Sequence, residues 1–302
     1  MKPPPFIYWA PKSAPEALAL LAGKPNARLL AGGQSLMPML NMRLVAPEHV
    51  IDLNRVQGLA YIREEAGELA IGGMTRQREI EFSPLVAARL PLMAEAIRSV
   101  GHRQTRNRGT LGGSLCHLDP SAELPSVAMA MDATLRIDSA QGSRSIAMAD
   151  FPEGYMTTSL KPDEMLAEVR IKPWAAGHGW AFLEFARRHG DFAVVSAAAL
   201  LELAGDGRVR RASLTLGGVG PAPLRMRAAE ALLTGEKPDA ARLADAARLC
   251  ADIDALEDPI YPAWYRPRLA VTLARRALEL ACSRTNGIDA GINAGIDTGV
   301  RS

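Results

Sequence analysis

Residues 28–44 read RLLAGGQSLMPMLNMRL, a short apolar run that meets paired glycines and then a serine. Arg28-Leu29-Leu30 has strand character, and Ala31-Gly32-Gly33 stops it with residues that carry little or no side chain. Glycine lacks a Cβ, so successive backbone N–H groups can converge on an anion and a ligand can approach the chain closely. Ser35 adds a hydroxyl at the rim. A second stretch repeats the design as Arg108-Gly109-Thr110-Leu111-Gly112-Gly113-Ser114, with Thr110 supplying the hydroxyl. It runs toward an apolar segment, Ala122 to Met131, that reads as a buried helix.

Neither stretch is GxxxxGKS/T, and neither is GxGxxG opening a βαβ unit with an acidic residue about 20 positions on, which disfavours a P-loop and a dinucleotide fold. A lone Gly-Gly is most often a tight turn. Two of them with flanking hydroxyls point toward an anion cradle and leave its ligand unnamed.

Around these loops the chain alternates helices and strands. Ser13-Ala14-Pro15-Glu16 has the form of a helix start, and Gly23 closes that helix. His49 to Leu53, Glu68 to Gly73, Thr134 to Ile137 and Met165 to Ile171 read as strands, and Pro91 to Val100 as a helix ended by Gly101. A composition change at Pro173 to Gly179 marks a boundary. Beyond it, Phe192 to Leu203 and Val209 to Leu216 flank Gly205-Asp206-Gly207 as a hairpin, and helices are expected at 228–233, 240–249 and 262–282.

At 302 residues two domains are expected, given about 100–200 residues per domain. The 35 Lys+Arg nearly balance 33 Asp+Glu, leaving +2, so there is no broad electrostatic footprint for nucleic acid or an anionic membrane. Cys116, Cys250 and Cys282 are scattered and odd in number, which suits a reducing compartment and excludes a local Cys-ligated cluster. Prolines interrupt the amino-terminal segment where a leader needs an apolar run, so a cytoplasmic protein without membrane insertion is expected. Cys116-His117-x-Asp119 offers too few ligands for a stable metal site. His189 and Asp191 flank Gly190 as turn residues. Arg103, Arg106 and Arg108 form either a solvated basic loop or a contact for phosphate or a partner's acidic surface, and Met129 and Met131 sit at core spacing.

Ala31 to Leu44 together with Arg108 to Glu123 (RGTLGGSLCHLDPSAE), continuing through Arg187-Arg188-His189-Gly190-Asp191-Phe192-Ala193, resembles the medium, FAD-binding subunits of the xanthine dehydrogenase and carbon monoxide dehydrogenase family. The likeness covers residues 1–285. Among members it is greatest to flavin subunits of dehydrogenases acting on N-heterocycles such as caffeine, quinoline or nicotine. It implies an α+β fold: a two-subdomain, PCMH-type FAD-binding domain over 1–176, with subdomains 1–56 and 57–176, then a small α+β carboxy-terminal domain over 177–285 with a three-stranded sheet and helices. Residues 286–302, a glycine-rich repeat, are expected to be disordered.

The same resemblance implies that Gly32, Gly33, Gln34, Ser35 and Leu36 wrap the FAD diphosphate, and that Gly101, Thr110, Gly113 and Ser114 contact the diphosphate and ribityl region. His117 would lie against the cofactor, Glu123 would accept from the adenosine ribose, Leu166 would pack by the adenine or ring system, and Phe192 would lie near the isoalloxazine. Gln34, Ser114 and Phe192 replace the commoner His, Asn and Tyr; the last swap keeps a stacking face and loses a hydroxyl. No catalytic residue and no metal ligand is implied on this chain. Molybdopterin would sit on a large partner subunit and 2Fe-2S clusters on a small one, in a dimer of heterotrimers passing electrons to a terminal acceptor. The competing readings are a stand-alone flavoenzyme of the same broad fold and a scaffold subunit without flavin.

Overall fold

The computed structural model describes residues 2–262 and 264–285; the expected disordered tail, 286–302, lies outside them. The chain opens with β1 (Ile7–Trp9), α1 (Ala14–Gly23), β2 (Ala27–Leu30), α2 (Leu36–Asn41) and β3 (His49–Asp52). Ser13 Oγ accepts from the Glu16 amide and Glu16 returns a bond to the Lys12 amide, so α1 starts where the capping pattern requires. The three strands make a parallel sheet in the order β1-β3-β2, pairing Leu29 with Ile51 and Leu30 with Asp52. That register places the Gly32-Gly33 turn directly beyond the carboxyl end of β2.

β4 (Ile62–Glu65) and β5 (Glu68–Gly72) then lead into six short helices: α3 (Gln77–Phe82), α4 (Pro84–Arg89), α5 (Pro91–Ala96), α6 (Arg103–Arg108), α7 (Leu111–His117) and α8 (Glu123–Ala130). β6 (Thr134–Ser139), β7 (Gly142–Ala147), the small pair β8 (Pro152–Gly154) and β9 (Thr157–Thr158), and β10 (Met165–Ile171) follow. An antiparallel sheet joins five of these strands as β4-β5-β10-β6-β7.

The remainder holds β11 (Gly179–Phe185), β12 (Val195–Leu203), β13 (Val209–Gly217), β14 (Leu224–Arg225), α9 (Arg227–Leu233), α10 (Ala240–Arg248) and α11 (Tyr265–Ser283). Its antiparallel sheet has four strands, not the expected three: the extra one is a two-residue edge, too short to carry an alternating pattern. β12 alternates between two cores. Ala198 and Leu200 join the cluster that holds Leu135 and Val169, whereas Ala197, Ala199 and Leu201 face α9, α10 and α11. Helix α8 packs against β12 and β13, so every one of its residues is buried, Glu123 included.

At two places a glycine turn shifts an expected boundary. The helix from Pro91 ends at Ala96, because the amides of Arg98 to Val100 tighten into bonds three residues back before Gly101 turns with φ +47°. The strand expected from Phe192 starts at Val195, because Gly190 at φ +86° turns the chain first. Asp132, after α8, pairs with Arg211 and Arg225 of the carboxy-terminal sheet, and Ser213 donates to the Ala130 carbonyl at 2.7 Å.

Candidate functional site

The two glycine loops meet. A Cβ on Gly32 would overlap the Arg108 carbonyl oxygen, and one on Gly113 would lie 3.4 Å from the Ala31 Cβ. Beside this contact is a cavity of about 250 Å³ lined by Leu30, Ala31, Gly32, Gly33, Gln34, Met37, Asp52, Asn54 and Arg108.

The loops divide the work unequally. The backbone amides of Gly33, Gln34, Ser35 and Leu36 donate to no acceptor among the described residues, and the Ser35 hydroxyl makes no capping bond. Gly33 stands at φ +73°, the left-handed geometry that turns successive amides to one side. Four consecutive free donors in a turn fit an anion of diphosphate size. The Gln34 side chain folds back and donates to the Gly32 carbonyl at 3.3 Å.

In the second loop the amides are already used: Leu111 donates to Thr75, Gly112 to Gly73, Gly113 to the Thr110 hydroxyl at 3.0 Å, and Ser114 to the Thr110 carbonyl. The backbone of Gly113 and Ser114 is therefore not an open anion cradle, although the sequence allowed either loop to cradle a phosphate. This loop contributes shape and the Ser114 side chain, while Thr110 is 2% exposed and its hydroxyl accepts from the Gly113 amide. Its glycines are required by close packing: a Cβ on Gly112 would come 2.7 Å from the Gly73 carbonyl oxygen, and one on Gly73 would overlap that of Leu166. Leu166, 6% exposed, thus lies behind the second loop, at the irregular step of β10.

Gly101 and Phe192 belong to another junction. A Cβ on Gly190 would lie 2.6 Å from His102 Nδ1 and 3.1 Å from the Gly101 carbonyl, so the loop between β11 and β12 rests on the turn before α6. Phe192 on that loop is 59% exposed. His117 ends α7 and is partly buried; burial lowers its pKa against the opposing pull of Asp119, which leaves a neutral imidazole near neutrality. Glu123, 3% exposed, is pushed up to about 8, first by burial and then by the charges of Glu184 and Asp119. Glu184 on β11 is itself raised to about 7 by burial, against a bond from Ser99. Glu123 is thereby kept largely protonated at neutral pH, while Glu184 titrates there.

Sequence reading missed Asp52, Asn54, Arg76 and Glu184. Asp52 accepts from Tyr8 Oη at 2.6 Å and from the Asn54 amide at 2.9 Å; Asn54 Nδ2 donates to the Ala31 carbonyl at 3.0 Å. Arg76 donates to Asn54 Oδ1 and to the Arg108 carbonyl. None of these lies in a glycine motif, and only the fold brings them together. Arg108, read within a basic loop, proves to line the cavity.

A sequence profile described as the FAD binding domain in molybdopterin dehydrogenase matches residues 4–174, and one described as the CO dehydrogenase flavoprotein C-terminal domain matches residues 180–281. The chain is 39% identical over 286 residues to the 6-hydroxypseudooxynicotine dehydrogenase complex subunit alpha of Paenarthrobacter nicotinovorans, covering 94% of this chain and 97% of that one. It is 40% identical over 292 residues to the caffeine dehydrogenase subunit beta of Pseudomonas sp. strain CBB1, covering 96% and 99%. A solved structure of carbon monoxide dehydrogenase from Hydrogenophaga pseudoflava superposes with a TM-score of 0.92 at 39% identity, covering 94% of this chain and all of that one.

Proposed function

The chain belongs to the family of FAD-binding medium subunits of molybdenum hydroxylases, and on that premise we propose that it takes electrons from 2Fe-2S clusters on a small partner subunit and passes them to a terminal acceptor. It is the flavin component of an oxidoreductase. When bound, FAD supplies interconversion between single-electron and paired-electron transfer.

The residues of this chain bind and orient the cofactor. In this reading residues 1–176 hold it and 177–285 cover the ring end. The free amides of Gly33 to Leu36, with Gly32 and the Ser35 hydroxyl, take the diphosphate. Gly113 allows approach from the second loop, which Thr110 caps, and Ser114 offers a hydroxyl. Gly101, His117 and Phe192 border the flavin end, Leu166 backs the second loop, and Glu123 meets a sugar hydroxyl as a largely neutral acid. Phe192, without a hydroxyl, excludes water from a ring face and offers it no hydrogen bond.

Hydroxylation belongs to molybdenum on a large partner subunit, with an aromatic N-heterocycle or a similar small molecule as substrate, a reading supported by relatives named for caffeine and 6-hydroxypseudooxynicotine. No helix among the described residues is long and apolar enough to cross a membrane, and we place the complex, a dimer of heterotrimers, in the cytoplasm. The observation that carries the function is the run of four unpaired amides in a glycine turn at the meeting of two loops. Co-purification from the native host tests it: equimolar FAD with a molybdopterin-binding and a ferredoxin-like partner is expected, and a flavin-free chain purified alone would oppose it.

A further inference from the structure

We infer that Arg76 is a further cofactor-recognition residue, whose guanidinium, fixed between the two glycine loops by Asn54 and the Arg108 carbonyl, answers the charge of the FAD diphosphate. The inference rests on the FAD reading above and names a residue outside both glycine motifs. Nη1 of Arg76 donates to the Arg108 carbonyl at the head of the second loop, and Nη2 donates to Asn54 Oδ1. Asn54 in turn donates to the Ala31 carbonyl at the head of the first loop at 3.0 Å. One side chain thus bridges both loops at the cavity that Asn54 and Arg108 line.

The charge on this bridge is not spent locally. Arg76 is half-buried, and among the described residues it makes no ion pair within 4.0 Å. Its two bonds go to neutral oxygens. The neighbouring carboxylates are occupied: Asp52 accepts from Tyr8 and from Asn54, and Glu79 accepts from the backbone amide of Arg76 itself. Burial first and then the positive charge of Arg108 lower the Arg76 pKa, against the pull of Glu79 and Asp52. Arginine keeps its proton all the same, so a half-buried guanidinium without an ion pair gains from an anion placed beside it. Beside it lies the turn whose amides from Gly33 to Leu36 have no acceptor. Neutral donors in that turn, and a cation tied to both loops through Asn54 and Arg108, two residues that line the cavity, are the chemistry that recognises a doubly charged diphosphate.

The test is FAD titration, followed by quenching of flavin fluorescence, into the flavin-stripped chain as wild type, Arg76→Met and Arg76→Lys, each at low salt and in about 0.5 M NaCl. At low salt Arg76→Met is expected to weaken binding about 10–100-fold, the scale of one charged hydrogen bond, and Arg76→Lys by clearly less. Added salt is expected to weaken wild type more than Arg76→Met. Wild-type affinity in the Met variant, or equal losses in Met and Lys with the salt response of wild type, would overturn the inference and leave Arg76 a strut. Should the Met variant fail to fold, wild type against Arg76→Lys carries the test, and a wild-type affinity indifferent to salt overturns it. A wild type that takes up no FAD defeats the functional reading instead.

Discussion

Gly32 and Arg108 meet backbone to backbone: there is no room for a Cβ on Gly32 beside the Arg108 carbonyl oxygen, so the two glycine loops are held at contact distance. The cofactor site depends on this approach more than on either loop alone. Gly32→Ala is expected to push the loops apart and lower flavin occupancy of the purified protein at least about tenfold, in line with a loss of roughly 1–3 kcal/mol from overpacking. Gly33→Val strains a residue at φ +73° and is expected to do the same. Gly205→Ala, where a Cβ would meet nothing within 4 Å, is expected to keep full flavin. Flavin absorbance per chain reads all three.

The raised pKa of Glu123 sets a pH dependence of stability. Its folded value, about 8, lies above the ordinary carboxylate value of roughly 4.3, so between those limits the folded state holds the extra proton. Stability of the flavin-free chain should therefore fall as pH rises from about 5 to 8, and Glu184, raised to about 7, adds in the same direction. Glu123→Gln keeps the volume and removes one titration. Its thermal midpoint is expected to exceed that of wild type at pH 8 and to converge with it near pH 5. Parallel midpoint curves would show that Glu123 does not titrate in this window.

These features were unequally legible in the sequence. Strand-like composition located Met165 to Ile171, which alternates only loosely, and the Gly-Asp-Gly turn located Val209 to Leu216, a strand that runs one residue further, to Gly217. The edge strands β1 and β14 were not readable; they are three and two residues long and exist only through pairing with β3 and β13. Within the site, the glycines were readable as punctuation. The unequal roles of the two loops were not, since Gly113 loses its free amide to a cap by Thr110 that only coordinates reveal. Asn54 and Arg76 carry no local signal at all.

The junction between the FAD-binding part and the carboxy-terminal sheet depends on Arg225, which pairs with Asp132 and Glu230 and donates to the Met129 carbonyl at 2.9 Å. Its side chain is 8% exposed, so Arg225→Met removes a buried cation from Glu230, which keeps Arg227 and the Leu214 amide as partners, and from Asp132, which keeps Arg211. A destabilisation of about 1–3 kcal/mol is expected in denaturant unfolding. Arg275→Ala, which removes an exposed helix-surface pair with Glu279, is expected to leave the midpoint unchanged.

Burial pushes the thiols of Cys116 and Cys250 up to about 12 and that of Cys282 up to about 11. The thiolate is the reactive form, so the folded protein should resist a maleimide at neutral pH while the denatured chain takes up three equivalents. Intact mass spectrometry counts the adducts. Rapid labelling of the native chain would contradict the burial seen here.

The most direct measurement of the central claim is rapid-mixing spectroscopy on the reconstituted complex, with the clusters reduced first and the flavin band followed without oxygen. In wild type the flavin band is expected to bleach as the clusters reoxidise, one flavin for each pair of electrons. In Gly33→Val the clusters should stay reduced and the acceptor unreacted. A terminal acceptor reduced at the wild-type rate by the flavin-free variant would contradict the claim that electrons leave through this chain.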